Sequence, residues 1–266
     1  MYYLKPARML AILFWLSFWV ANPVVARALD SGWDHKPRVL HVPILMYHYV
    51  SQPPADADKV LKDLAVLPEN FEKQVNWLKE QGYKTISPDD LIAALWQGKS
   101  LPPKPILLTF DDGYWDAYAI VYPILKAAGY TGTFFVVTDW VDEARKGYLN
   151  WDMAREMVQG GMSIESHSRT HRDFRNRDHA WYVEQINGSI KAIETHTGVR
   201  PRYFCYPFGG YDDVAIRELR AAGIVAAFTE NDSRYEYAAN TMRLPRIRIR
   251  GAMTLTQFAA AVKDEG

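Results

Sequence analysis

The segment Ile106–Gly113 (ILLTFDDG) is an apolar run that ends in two adjacent carboxylates and a glycine. A continuous apolar run of this length is typical of a parallel strand that is covered on both sides. Two neighbouring carboxylates repel each other unless a cation lies between them or one of them has a different role. Asp-Asp-Gly also forms simple turns and helix caps, so this segment alone supports either interpretation.

A second polar motif, His167–His171 (HSRTH), directly follows the stretch Ser163–Ser166. Its histidines are four residues apart, and on a helical turn that spacing places both imidazoles on one side. Together with Asp112 they form a set that binds a divalent metal and leaves positions open for water and substrate. The alternative is a pair of surface histidines in a polar loop. The sequence predicts Asp112, His167 and His171 as metal ligands.

The rest of the chain alternates short apolar runs with amphipathic stretches. Strands that alternate with helices favour an α/β fold with parallel strands, and seven or eight such units suggest a barrel rather than an open sheet. His48, Asp111 and His167 all follow predicted strands, where functional side chains of such barrels collect. The strands are predicted at 43–47, 106–110, 133–137, 163–166, 203–206, 224–228 and 247–249. The helices are predicted from 68 to 82, from 88, and at 122–128, 151–159, 179–196, 212–222 and 254–263.

Residues 1–28 are predicted to be a secretory signal peptide. Lys5 and Arg8 precede the apolar run Met9–Ala21, and Ala26–Ala28 fits a cleavage site. The alternative is an uncleaved membrane anchor, although the run is short for a bilayer core of ~30 Å. We expect export to the periplasm, the cell surface or the medium, with no stable membrane span after cleavage.

Composition suits one globular domain, with 48% hydrophobic and 23% charged residues in 266. We expect a polar leader at 29–40 and a single domain at 41–266. The 31 basic and 31 acidic residues balance, and removal of 1–28 makes the protein slightly acidic. Such a protein lacks a broad basic surface, so no nucleic-acid partner is expected. The single cysteine, Cys205, forms no internal disulfide.

Thr109–Gly113 (TFDDG) followed by HSRTH resembles the NodB-type polysaccharide deacetylase family, carbohydrate esterase family 4, over about residues 42–260. The resemblance implies a distorted (β/α) barrel of about seven strands and an amino-sugar polysaccharide substrate. It implies Asp111 as the general base and Asp112, His167 and His171 as ligands of one divalent metal. Zinc is the first expectation, and cobalt, nickel, manganese and iron suit the same ligands.

The chain departs from the family pattern in its third motif. Tyr203–Gly209 resembles that motif, but Cys205 stands where an arginine is usual. Here the resemblance implies Phe208 as a backbone donor to the oxyanion, and Tyr206 is a further candidate for substrate binding. The alternative is an ordinary aromatic strand and turn. Arg246 is the candidate to replace the missing arginine.

The late Leu-x-His motif of the family, which supplies the general acid, is also absent. Met46–His48 instead resembles the circularly permuted motif order of the poly-β-1,6-N-acetylglucosamine deacetylases. A barrel tolerates such a permutation because its first and last strands are neighbours. We therefore expect His48 to be the general acid, with a structural histidine as the alternative. Aromatic residues near the motifs, Tyr114 among them, suit the faces of sugars.

Together these features predict metal-dependent N-deacetylation of an exported N-acetylglucosamine polymer. Poly-β-1,6-N-acetylglucosamine of a biofilm exopolysaccharide is the first expectation, with other exopolysaccharide export or modification proteins as partners. Peptidoglycan, chitin and xylan are the alternative polymers. A non-catalytic carbohydrate-binding module on the same fold is the alternative to an enzyme, but binding alone needs neither a base at Asp111 nor an acid at His48.

Overall fold

The computed structural model describes residues 32–263, so the predicted signal peptide and the start of the predicted leader lie outside the described residues. The strands, numbered along the chain, are β1 Val39–His41, β2 Ile44–Tyr47, β3 Tyr49–Val50, β4 Ala65–Val66, β5 Lys84–Thr85, β6 Pro105–Phe110, β7 Thr133–Val136, β8 Ser163–Ser166, β9 Tyr203–Cys205, β10 Ala226–Phe228, β11 Tyr235–Tyr237 and β12 Ile247–Arg248. The α-helices are Lys59–Leu64, Pro68–Glu80, Pro88–Gln97, Tyr122–Ala128, Thr138–Asp142, Trp151–Gln159, His179–Thr197, Asp213–Ala221 and Leu255–Val262.

A curled parallel sheet forms the centre of the fold. Seven strands follow one another in the order β10-β9-β8-β7-β6-β2-β12, and the short β5 pairs with the beginning of β6. These seven are the predicted strands, with ends that differ by at most two residues. The prediction of a distorted α/β barrel of about seven strands is confirmed.

The two edges of the sheet meet at Leu244. This residue forms a parallel bridge with Phe228 of β10, and its N–H donates to the Ala227 carbonyl at 2.9 Å. Three residues later the same segment becomes β12, in which Ile247 pairs with Leu45 of β2. The segment that carries Arg246 therefore connects the two edge strands of the curled sheet, β10 and β12.

The central strands β2 and β6 are largely apolar because both of their faces are covered. Ile44 of β2 and Leu107 of β6 enter one buried cluster, whereas their neighbours Leu45 and Leu108 enter another. Successive side chains of a strand point to opposite faces, so each face packs against a different layer. Helix Pro68–Glu80 contributes to the second cluster through the predicted face of Phe71, Val75 and Leu78.

The end of the predicted leader is part of the folded structure. Val39–His41 forms β1 and pairs antiparallel with β11, and the N–H of Asp34 donates to the Trp96 carbonyl at 3.0 Å. Among residues 32–263, none of the helices has the length and apolar character needed to cross a bilayer.

Glu165 is a buried carboxylate inside the central sheet. It accepts hydrogen bonds from the backbone N–H groups of Arg202 and Tyr203, both at 2.9 Å, and from the Ser163 hydroxyl at 2.6 Å. Burial raises the pKa of Glu165 to about 7, well above its ordinary 4.5. The Glu165 side chain thus accepts backbone N–H groups at the start of β9 that would otherwise need carbonyl partners. Its carboxylate ionises near neutral pH.

We expect Glu165→Gln to flatten the pH dependence of folding. Between pH 4.5 and 7 the folded state holds the Glu165 proton more tightly than the unfolded state, so rising pH weakens wild-type stability there. The glutamine variant lacks this titration, and its stability relative to wild type should rise by about 3 kcal/mol across that range. Urea unfolding at pH 5, 6, 7 and 8 measures the difference, and a constant difference would contradict the assigned pKa.

Candidate active site

The polar residues predicted at strand ends lie together at the carboxyl edge of the sheet. The N–H of Asp111 donates to the Tyr47 carbonyl at 3.0 Å, which sets Asp111 beside His48. The N–H of His167 donates to the Val136 carbonyl at 2.9 Å. Parallel pairing of β2, β6, β7 and β8 therefore brings together the polar residues that follow β2, β6 and β8, which are His48, Asp111 and His167.

The three predicted metal ligands form one cluster. Asp112 Oδ1 lies 3.3 Å from His167 Nε2 and 3.1 Å from His171 Nε2. The ligand atoms all lie within 4.8 Å of one another, and Asp112 and His167 are buried. Burial alone would raise the pKa of Asp112, but the two imidazoles beside its carboxylate outweigh it and hold that pKa well below the ordinary value.

The geometry of this cluster suits a cation. His167 Nδ1 lies 2.8 Å from the Cys205 carbonyl, which only accepts, so Nδ1 carries a proton and Nε2 is the nitrogen that faces the cluster. Asp112 Oδ1 is buried and has no hydrogen-bond partner of good geometry among the residues the structure describes. A carboxylate oxygen and two imidazole nitrogens that converge in this way fit a divalent metal.

The segment that carries the histidines is a loop, so the expected helical turn is wrong. Ser168 and His171 have left-handed φ values of 69° and 55°, which a helix excludes. Two serine hydroxyls fix the loop, since Ser166 Oγ accepts from the Ser168 N–H and Ser168 Oγ accepts from the His171 N–H. The spacing of four brings the imidazoles together through this turn.

The Asp-Asp-Gly turn is equally constrained. Asp112 has φ +72° and Gly113 has φ +74°. A Cβ at position 113 would lie 3.1 Å from Val136 Cγ1, so glycine serves both the backbone conformation and the close approach to β7. The turn aims Asp112 at the histidines, while Asp111 points elsewhere.

Asp111 is paired with Arg246. The guanidinium donates to both carboxylate oxygens at 2.7 Å, and Arg246 is fully buried. Its other donors reach the Thr229 carbonyl and the Thr109 hydroxyl. Burial alone would raise the pKa of Asp111, but the charge of Arg246 outweighs it and lowers that pKa, so the carboxylate stays ionised. Arg246 thus pairs with Asp111, as expected of a residue that replaces the arginine missing from the third motif.

We expect Arg246→Met to lower the free energy of unfolding by about 3–5 kcal/mol, because it leaves Asp111 buried without its cation. Arg248→Met is the matched control, since the pair of Arg248 with Glu230 is partly exposed and should contribute less than about 1 kcal/mol. Chemical denaturation measures both variants. Equal losses would show that the Arg246 pair adds nothing beyond a surface ion pair.

His48 lies on the other side of Asp111. Its Nε2 is 3.9 Å from Asp111 Oδ2, and its side chain is only 9% exposed. Burial lowers the pKa of His48, while the carboxylates of Asp111 and Asp112 oppose that effect. His48 is therefore close enough to share a small substrate group with Asp111 without being hydrogen-bonded to it.

The predicted substrate-binding residues divide into two groups. Phe208 is 62% exposed, has φ +56°, and its ring centroid lies 4.5 Å from that of His171, so it flanks the cluster. Tyr114 lies near Asp112. Burial raises the pKa of its phenol, and the charge of Asp112 adds to this effect.

Tyr206 is different, because it is 1% exposed and its hydroxyl donates to the Met242 carbonyl at 3.1 Å. Its side chain belongs to the core, which corrects the expected contact with substrate.

A line of aromatic rings runs from the β2 end to the cluster. Tyr49 stacks on Tyr114 with ring centroids 3.6 Å apart. The centroid of Tyr148 lies 5.1 Å from that of Tyr114 and 4.7 Å from that of Trp140. Trp140 lies 5.4 Å from His171. Sequence reasoning did not identify Tyr148, because it joins the line through an isolated bridge with Tyr114 that no motif signals.

The sequence matches known deacetylases. Residues 98–227 match the Polysaccharide deacetylase family. The poly-β-1,6-N-acetyl-D-glucosamine N-deacetylase of Escherichia coli (strain K12) is 28% identical over 274 residues, which cover 88% of this chain and 39% of that protein. The protein of the same name from Staphylococcus aureus (strain MSSA476) is 26% identical, over 73% of this chain and 70% of that one.

The fold also matches a solved deacetylase. The structure of the Streptococcus pyogenes deacetylase PplD in complex with acetate superimposes with a TM-score of 0.78 at 27% identity. The match covers 86% of this chain and 100% of that one. The likeness therefore extends over most of this chain.

Proposed function

We propose that this chain, in which residues 98–227 match the Polysaccharide deacetylase family, removes N-acetyl groups from an exported polymer of N-acetylglucosamine. One observation carries the proposal. A cluster of metal-ligating atoms from Asp112, His167 and His171 lies beside a buried carboxylate, Asp111, that is held by Arg246 and flanked by His48. A Lewis acid, a base and an acid in this arrangement can together hydrolyse an amide.

Asp112, His167 and His171 hold the divalent metal of this proposal, with zinc as the first candidate and cobalt, nickel, manganese or iron as the others. When bound, such an ion polarises the acetyl carbonyl and makes a water molecule more acidic. The remaining steps belong to the chain itself. The His167 Nδ1 bond to the Cys205 carbonyl fixes the ring so that Nε2 faces the cluster.

Asp111 accepts the proton of the attacking water. Its carboxylate is ionised and fixed by the two hydrogen bonds from Arg246, so it is oriented before substrate arrives. General-base catalysis of this kind contributes a factor of about 10²–10⁴ in rate. His48 donates a proton to the departing amine, which would otherwise leave as an unstable anion.

The backbone N–H of Phe208 stabilises the negative charge that develops on the carbonyl oxygen. The aromatic line from Tyr49 to Trp140 provides flat apolar faces for sugar rings on one side of the cluster. Tyr114 takes part in substrate binding as a member of this line.

Poly-β-1,6-N-acetylglucosamine is the preferred substrate of the proposal. Two relatives from different bacteria carry that activity in their names, and His48 occupies the position expected for the permuted motif order. The acetate in the related streptococcal structure fits a deacetylase. Export of the protein is part of the proposal, since the polymer lies outside the cytoplasm.

Acetate release from defined oligosaccharides tests this function. We expect metal-loaded protein to release acetate from β-1,6-linked N-acetylglucosamine pentamers faster than from β-1,4-linked chitin pentamers, peptidoglycan or acetylated xylan. Binding of the oligomers without acetate release would favour a non-catalytic module. Faster release from another polymer would keep the chemistry and change the substrate.

A further inference from the structure

Asp116 is a buried carboxylate that the proposed mechanism does not use. It is 6% exposed and lies four residues after Asp112, just before the π-helical segment Ala117–Val121. Burial raises its pKa to about 6. One of its oxygens, Oδ1, accepts no hydrogen bond from a residue in the described range. A buried carboxylate with an unpaired oxygen is unfavourable for folding, which points to a role other than stability.

The other oxygen of Asp116 holds the segment that follows His48. Asp116 Oδ2 accepts the backbone N–H of Val50 at 3.0 Å. Val50 is the second residue after His48 and is completely buried. Tyr49, between them, stacks on Tyr114 of the Asp-Asp-Gly segment. The chain after His48 is therefore tied to the chain after Asp112 at two neighbouring points.

We infer that Asp116 is a positioning residue, which fixes His48 relative to Asp111 by holding the backbone of Val50. The inference rests on the proposed function, because it gives His48 the role of proton donor. A hydrogen bond to a carboxylate is stronger than one to a neutral acceptor, and a shift of about 1 Å in a catalytic group lowers the rate about 10²-fold. Asp116 thus acts on the reaction through the position of His48.

The test compares two substrates with different leaving groups. N-acetylglucosamine oligomers release an amine that needs a proton, whereas 4-nitrophenyl acetate releases a phenolate that does not. We expect Asp116→Ala to lower kcat for the oligomer by about 10–100-fold with KM within twofold. Its rate with 4-nitrophenyl acetate, measured above the Asp112→Ala background, should stay within twofold of wild type.

Conservative and double variants sharpen the result. Asp116→Asn retains an oxygen that accepts the Val50 N–H and should regain most of the oligomer activity. Asp116→Ser, which is shorter, should show a smaller loss than alanine, again confined to the oligomer. The double variant of His48→Ala with Asp116→Ala should be no slower than His48→Ala alone, because both changes affect the same proton transfer.

Glu236→Ala is the matched control. Glu236 is 1% exposed, Oε2 accepts the Val42 N–H at 3.0 Å, and Oε1 is also without a donor among residues 32–263. It lies on β11, away from the cluster, so its loss should lower stability and leave kcat unchanged. Three results would overturn the inference. Asp116→Ala could lose equal activity on both substrates, its effect could add to that of His48→Ala, or it could behave as expected for Glu236→Ala and lose stability without a change in kcat. An inactive wild-type protein would instead refute the proposed function.

Discussion

Asp111→Asn is expected to lower kcat for acetate release by about 10²–10⁴-fold while the protein still binds one metal ion per chain. Asparagine has nearly the same shape and keeps one oxygen for Arg246, but it cannot take a proton from water. Asp111 also lies near His167 and Cys205, but it is not one of the three residues in the proposed ligand cluster, so metal content should not change.

Steady-state kinetics and elemental analysis of the same preparation measure this result. Asp34→Asn is a suitable control, because Asp34 also accepts two hydrogen bonds from an arginine, Arg38, but at a partly exposed position. That variant should keep wild-type kcat. Retention of more than a tenth of the activity by Asp111→Asn would remove Asp111 from the role of base. Loss of metal in that variant would place it among the ligands.

Asp112→Ala is expected to abolish both metal binding and acetate release. Asp112 Oδ1 is the atom at which both imidazoles converge, so its removal takes away the one anionic ligand. Removing the metal from wild-type protein with a chelator should have the same effect on activity. Adding zinc or cobalt should restore the stripped wild type and leave Asp112→Ala inactive.

Stability gives an independent measurement of the same site. A ligand present at about 1,000 times its Kd stabilises the folded state by about 4 kcal/mol, so the metal should raise the Tm of wild type but not of Asp112→Ala. His179→Ala is the matched control, since His179 is exposed and pairs with Glu218 on the outer helices. It should keep both activity and the metal-dependent Tm. Full activity after chelation would contradict a metal-dependent mechanism.

The strands of the fold were predictable because burial on both faces leaves a simple pattern. Ile106–Phe110 and Thr133–Val136 are apolar apart from one threonine each, and every residue in them is buried. The short strands β3 and β5 were not predicted. Two-residue strands form where neighbouring segments happen to lie in register, and they carry no periodicity of their own.

The candidate site was predictable where side chains follow strand ends. The structure brings together Asp111, Asp112, His48, His167 and His171 as the motifs indicated. The loop that carries the histidines was predicted as a helical turn because a spacing of four fits both conformations. Its left-handed residues depend on serine hydroxyl contacts that the sequence does not reveal.

Contacts between distant segments account for the rest. The pairing of Arg246 with Asp111 joins residues 135 positions apart, and the sequence supported it only through a resemblance. Tyr206 was expected at the substrate because it lies within the third motif. A residue next to a strand end can face either the cleft or the core, and the Met242 carbonyl decides for the core. Asp116 had no sequence signal, because its role depends on one backbone donor.

Anomalous diffraction from crystals soaked with zinc tests the central claim most directly. The account predicts a single strong peak at about 2.0–2.2 Å from a carboxylate oxygen of Asp112 and from Nε2 of His167 and His171, with Asp111 still paired to Arg246. A peak that is coordinated by Asp111 or Cys205, or the absence of any peak at this cluster while zinc binds elsewhere, would contradict it.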